Sequence, residues 1–126
     1  MTGLKQVLQA FWAQFGIPAY LTDDVPTDAA LPYITYEVSL SAFNGSTVQT
    51  AFVWCDRESP YGNLWRTQMM DDIETAFPVG GLMVAVDDGY IILYRNTADF
   101  LKDWQDPVDA NVLGVRVSYI VQHYHL

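Results

Sequence analysis

The sequence contains one cysteine, Cys55. No intramolecular disulfide can form, and a reducing, intracellular setting is the simplest expectation. Cys55 lies in an apolar stretch with no histidine near it in sequence, so it reads as a buried structural thiol and not as a nucleophile. Basic residues are scarce: six Lys and Arg stand against fifteen Asp and Glu, for a net charge of −9. A surface of this sign repels nucleic acid and offers no basic stripe for phosphates. The two histidines, His123 and His125, sit at the chain's end. They share one face of a strand, but two ligands make a poor metal site, so a solvated terminus is expected. No apolar run approaches the roughly 20 residues of a membrane span. The opening stretch, MTGLKQVLQAFWAQFG, lacks the basic leader and unbroken apolar run of a signal peptide. Phosphate-binding glycine loops and the G-x-S-x-G nucleophile motif are missing as well.

Two acidic groups bear on chemistry. Asp99, Asp103, Asp106 and Asp109 bring several hard oxygen ligands close together, yet the glycine and terminal glutamate of an EF-hand loop are missing, so a solvated acidic loop is expected. Asp71, Asp72 and Glu74 resemble paired carboxylates for acid–base work. Nothing nearby in sequence pushes their pKa values apart, and a wet helix face accounts for them. No catalytic residue, cofactor site or metal site is assigned.

What is present is apolar and aromatic. Half of the 126 residues are apolar, and four Trp, eight Tyr and six Phe are among them. This is enough for one domain spanning residues 1–126. Leu4, Val7, Leu8, Phe11, Trp12 and Phe15 follow helical spacing, which predicts a helix over residues 2–15 with Thr2 as N-cap. Gly16 and Pro18 stop it. Residues 20–32 read as a loop. A second helix is predicted from about Pro60 or Asn63 to Phe77, with Ser59 before Pro60 fitting an N-cap and first turn. Residues 96–111 read as a polar segment in which Phe100, Leu101 and Trp104 share a short helical turn, forming an arm that a neighbour would order.

Between these elements lie strand patterns. Asn44-Gly45 between alternating runs predicts a tight hairpin that sets Tyr36 against Val53 and Thr35 against Trp54. Asp88-Gly89 predicts a second, with Val86 across from Ile91 and Val84 across from Leu93. A long strand from Val112 to Tyr124 closes the chain. The expected fold class is α+β: a largely antiparallel sheet of about five strands with two helices, in the order α-β-β-α-β-β-β. In TVQTAFVWCD, alternation puts Ala51, Val53 and Cys55 on one face and Val48, Thr50, Phe52 and Trp54 on the other. The second face sets aromatics beside Thr35, Glu37 and Ser39. A helix of the same chain would cover it, or a neighbouring molecule would.

The helix GLKQVLQAFWAQFGIPAY, the Pro-bounded loop into LPYITYEV, and the closing YIILYRNTADFLKDW…GVRVSYIVQHY together resemble the tail-terminator and tail-completion proteins of long-tailed bacteriophages. These are small head–tail connector components, also described as minor capsid or minor tail proteins. The resemblance spans nearly the whole chain and carries no catalytic motif. It implies a virion structural protein of a phage or prophage. Such proteins act as oligomeric, commonly hexameric, rings that cap the tail tube and join it to the head. The implied partners are further copies of the chain, a tail-tube protein and a head-completion or connector protein. Neither a membrane nor tightly held nucleic acid is among them. The implied location is the cytoplasm of the bacterial host during assembly and then the tail or neck of the virion. On this reading Phe52, Trp54, Phe100 and Trp104 are candidate subunit-interface residues, and Asp71, Asp72 and Glu74 candidate channel-lining residues. The alternative is a non-enzymatic α+β module that binds a small ligand or regulates another protein, recognisable by a concave apolar pocket.

Overall fold

The structure is a computed structural model and describes residues 3–38, 46–57, 62–97 and 99–125, apart from the side chains of Asn63 and His125. The chain runs α1 (Leu4–Ala13), β1 (Ala19–Leu21), a 3-10 turn (Thr22–Asp24), β2 (Tyr33–Tyr36), β3 (Ser46–Asp56), α2 (Asn63–Ala76), β4 (Leu82–Val86), β5 (Gly89–Arg95), β6 (Leu101–Gln105) and β7 (Val112–His125). The apolar stripe of α1 is the predicted one, with Leu4, Val7, Leu8, Phe11 and Trp12 buried. Its N-cap is Gly3, not Thr2, and the Gln6 side chain accepts from the Gly3 N–H at 3.0 Å. Gly16, at φ 82°, takes the left-handed turn that ends the segment. The predicted Ser59-Pro60 start of α2 lies outside the described residues.

The sheet corrects the predicted fold class. It has seven strands, not about five, in the order β1-β2-β3-β7-β5-β4, with β6 also pairing β7. It is mixed, not largely antiparallel in design, because the edge strand β1 runs parallel to β2. The class remains α+β, in the order α-β-β-β-α-β-β-β-β. Both unpredicted strands have a physical explanation. β1 has three residues between turn formers, too few to show alternation. β6 carries Lys102, Asp103 and Gln105 as exposed residues, so its sequence looks like a polar loop. Residues 101–105 are thus a strand and not the expected helical turn or loose arm. Two hydrogen bonds continue the ladder on its N-terminal side: Asn96 N–H donates to the Ser118 carbonyl (3.2 Å) and Ser118 N–H to the Phe100 carbonyl (2.8 Å). β5 and β6 therefore lie end to end along one edge of β7, while β3 lines the other.

The hairpin registers also differ from expectation. Tyr36 faces Ala51 and Ile34 faces Val53, two residues from the predicted pairing. In the second hairpin Val86 faces Gly89 and Val84 faces Ile91, again a shift of two, so the turn is Asp87-Asp88. The Asn44-Gly45 turn itself lies outside the described residues. Side chains alternate with period two, so a shift of two leaves every residue on its predicted face.

Both helices pack on the same face of the sheet. Leu8, Trp12, Met69, Ile73 and Phe77 meet Ile34, Val53, Ile91, Leu93, Val115, Val117 and Tyr119 in one core. Each fully buried large side chain contributes about 1.5–3 kcal/mol. The sheet curls so that α1 touches both of its outer strands, β1 and β4. Gln9 fastens one side: its Nε2 donates to the Ala19 carbonyl at 3.2 Å, and its Oε1 accepts from the Tyr36 hydroxyl. A polar chain crosses the core. Trp12 Nε1–H donates to the Tyr119 hydroxyl (3.4 Å), which donates to Gln49 Oε1 (3.4 Å). Gln49 and Tyr119 are both fully buried.

Burial raises the Tyr119 phenol well above its usual value, and burial raises Tyr36 too. A raised folded-state pKa means that stability is fully present below the unfolded value of about 10 and is lost as pH climbs beyond it. Equilibrium unfolding followed against pH is therefore expected to show no loss from these groups up to about pH 10 and a steady loss above it. The slope should be shallower in Tyr119→Phe. An unchanged slope in that variant would show that Tyr119 does not titrate with unfolding. A second expectation concerns Gly114, which pairs with Trp54 near one end of the β3–β7 ladder. A Cβ there would lie 2.1 Å from the Val53 carbonyl oxygen, a backbone atom. Gly114→Ala should cost about 3 kcal/mol, readable as a lower denaturation midpoint.

Candidate functional site: an uncovered aromatic sheet face

The face opposite the helices is built by the alternate residues of the same strands. β3 contributes Phe52 and Trp54, β2 contributes Tyr33 and Thr35, β1 contributes Tyr20 and β6 contributes Trp104. No helix among the described residues covers it, because α1 and α2 both pack against the other side. Phe52, Trp54 and Trp104 are half-buried and pack on one another. Trp54 and Trp104 meet edge to face with ring centroids 4.7 Å apart. Phe52 sits 5.6 Å from Trp54 and 5.8 Å from Trp104. The row continues through Tyr33, 6.4 Å from Trp54, to Tyr20, 5.8 Å from Tyr33. Such pairs contribute about 0.5–1.5 kcal/mol each beyond their buried area.

Two local features hold the cluster. In the register, Gly114 of β7 stands between Trp54 and Trp104. It has no side chain, so the two indoles meet across β7. Thr35, diagonal to Trp54 in the observed register, accepts a hydrogen bond from Trp54 Nε1–H at 2.8 Å. Next along the sheet, Arg116 lies between Phe52 and Lys102 in register and pairs with Asp99.

Three of the four predicted interface residues, Phe52, Trp54 and Trp104, are thus brought together. Phe100 is not with them. It packs on the core side against Phe77, at 5.2 Å between centroids, with the Arg95 guanidinium 5.3 Å from its ring centre. Tyr20 and Tyr33 were missed. Tyr33 is two residues before Thr35 in an alternating strand, which is a readable signal; Tyr20 belongs to a strand too short to read.

The predicted acidic residues fall elsewhere. Asp71, Asp72 and Glu74 are exposed on α2, on the side away from the sheet. Asp72 accepts from Gln68 at 3.1 Å, an ordinary contact one turn apart. The other acidic group is occupied by structure. Asp99 pairs with Arg116 and Asp103 with Arg66 at 3.5 Å. Asp106 accepts from the amides of Val108 and Asp109, and Asp109 from that of Asn111, closing the turn before β7. These contacts explain the aspartates as loop-forming and ion-pairing residues.

His123 corrects an expectation: it is 9% exposed, not solvated, and its Nε2 lies 3.4 Å from Asp88 Oδ1. Cys55 is fully buried, and burial, the largest influence on it, raises its thiol pKa. Among the described residues no group of three or more His, Cys, Asp or Glu is placed to hold a metal ion. A groove of 570 Å³ lies between α1 and β1, lined by Lys5, Gln9, Asp24 and Tyr36 among others, and a larger hollow of 860 Å³ adjoins it around Leu4, Thr22 and Glu37; both are widely open to solvent. No helix of the described residues is long and apolar enough to cross a membrane. The arrangement best suited to recognition is therefore the aromatic face, which can dock an apolar surface. Compared with known proteins, the chain matches no family model, no curated protein and no solved structure.

Proposed function

We propose that this chain is a non-catalytic structural subunit that assembles with copies of itself into a ring. In this reading it caps the tail tube of a long-tailed phage or prophage and joins that tube to the head. The observation that carries the proposal is the aromatic face: Phe52, Trp54 and Trp104 form an apolar cluster on the side of the sheet that α1 and α2 leave bare. Clustered aromatics in a polar surround are what interface centres favour. A ring interface is heterologous, so this patch would meet a different patch of the next subunit. Further partners would be a tail-tube protein on one side and a head-completion or connector protein on the other. The chain would work in the bacterial cytoplasm during assembly and in the virion neck afterwards.

The small-ligand reading rests on the α1–β1 groove. That groove is open and holds no convergent set of buried polar groups, so it supports binding of a defined ligand less well.

Phe52 is the cleaner residue to test, since Trp54 also makes the Thr35 hydrogen bond. Phe52→Ser is expected to weaken each subunit contact by about 2 kcal/mol, roughly thirty-fold in its association constant. Sedimentation should show loss of the high-mass species, while the melting temperature of the subunit falls by only a few degrees. A large fall in melting temperature with assembly intact would refute the interface role.

Charge gives the second test. Duplex DNA must pass such a ring, and Asp71, Asp72 and Glu74 are candidates to line the passage without gripping it. The four arginines are engaged within the chain: Arg66 with Asp103, Arg116 with Asp99, Arg95 with the carbonyls of Phe77 and Glu74, and Arg57 with that of Ala110. A gel shift at low salt is expected to show no tight duplex binding. Binding that weakens steeply as salt rises would mean that phosphates are being neutralised, and would overturn this expectation.

A further inference from the structure

Strand β4 is an outer strand of the sheet. Its sequence, Leu82–Val86, contains no charge and no proline. Sheet edges are normally blunted by charge, proline, a bulge or a cover, because unpaired amides template further strands. The opposite edge is blunted: β1 has three residues, and Gln9 occupies the Ala19 carbonyl. Among the described residues β4 shows none of these devices.

The hairpin register fixes which amides point outward. Val86 closes the two-residue turn opposite Gly89. The closing pair exchanges hydrogen bonds, so Leu82, Val84 and Val86 aim their amides at β5, whereas Met83 and Ala85 aim theirs away from the sheet. The Met83 side chain is 65% exposed. On the helix side, an apolar groove of 370 Å³ runs between the edge and α1, lined by Val7, Ala10, Phe11 and Val84, with Gln6 and Gln14 at its margin. A strand added to β4 would set its inward side chains over that groove.

We propose that β4 pairs antiparallel with β4 of a second copy of this chain, about a two-fold axis at Val84, joining two sheets into one. Met83 then faces Ala85 of the other copy in a hydrogen-bonded pair, and the reverse pair repeats it. The two Val84 residues meet as a non-hydrogen-bonded pair, with Cα atoms about 4.5 Å apart. Leu82, Val84 and Val86 of each copy lie over the groove of the other. Charge selects this occupant and direction. Each copy carries −9, so association is least opposed where the surface has no charge. The acidic turn Asp87-Asp88 follows β4 directly. Antiparallel pairing sets Asp87 opposite Gly81 of the other copy and separates the two Asp87 residues by six positions. At about 3.4 Å per residue this is roughly 20 Å, beyond two screening lengths of about 8 Å. Parallel pairing would put the acidic turns side by side. The contact is isologous, and it does not depend on the aromatic face or on the ring.

The test uses the full chain. Val84→Cys, oxidised gently, is expected to give a disulfide-linked species of twice the chain mass. It should form at least ten-fold faster than in Leu64→Cys, whose site is 87% exposed on α2 and lies away from β4. Native Cys55 is buried and stays silent. Ala85→Pro removes one outward N–H and no ladder bond within the chain. It is expected to keep the circular dichroism and melting temperature of the parent while the sedimenting mass falls at least two-fold. Val84→Cys linking no faster than Leu64→Cys, or an unchanged mass in Ala85→Pro, overturns the proposal. The ring fails separately. If Phe52→Ser leaves the assembly intact while Val84→Cys still links, the two-fold pairing stands and the ring reading does not.

Discussion

The sheet is organised around one strand. β7 pairs with β3 along eleven residues on one edge and with β5 and β6 in succession on the other. Its Val115, Val117, Tyr119 and Val121 form the floor on which both helices sit. The alternate residues of the same strand, Gly114 and Arg116 among them, belong to the bare face. The core and the candidate interface are therefore two sides of one ladder. A change that bends β7 would disturb both, which separates this arrangement from one in which a binding loop is appended to an independent scaffold.

That constraint makes Gly114 more than a packing detail. It leaves room for Trp54 and Trp104 to meet over β7, and its own backbone approaches the Val53 carbonyl too closely for any side chain. The cluster is held by sheet geometry and by the Thr35 hydrogen bond, not by a loop. With the rings already packed on one another, a surface docking there would spend less conformational entropy on them.

The sequence made the faces legible and the neighbours less so. The stripe of α1, the extent of α2 and the inward set of β3 could be read because their periods repeat over ten or more residues. Phe52 and Trp54 could be placed on an uncommitted face for the same reason. Turn chemistry was the weaker guide. It put both hairpins two residues out of register, a shift that period-two alternation cannot reveal. β6 was hidden because it pairs on one edge only and keeps solvated residues that a central strand would not carry. β1 was hidden by its length. Phe100 and Trp104, four residues apart, were read together on helical spacing, but a short strand entered at Leu101 sends them to different layers. The burial of His123 follows from tertiary pairing and had no local signal.

The tryptophans are divided between the two layers. Trp12 lies sealed under α1 against Tyr119 and Phe77, and Trp65 of α2 packs at the margin of the same core. Trp54 and Trp104 stand together on the bare face. The molecule thus carries two intrinsic optical reporters. Emission from the Trp54–Trp104 pair responds to water leaving the open face, while Trp12 answers to loosening of the interior. Loosening of the interior and any covering of the open face, which share β7 mechanically, would in this way be separable spectroscopically without any added label.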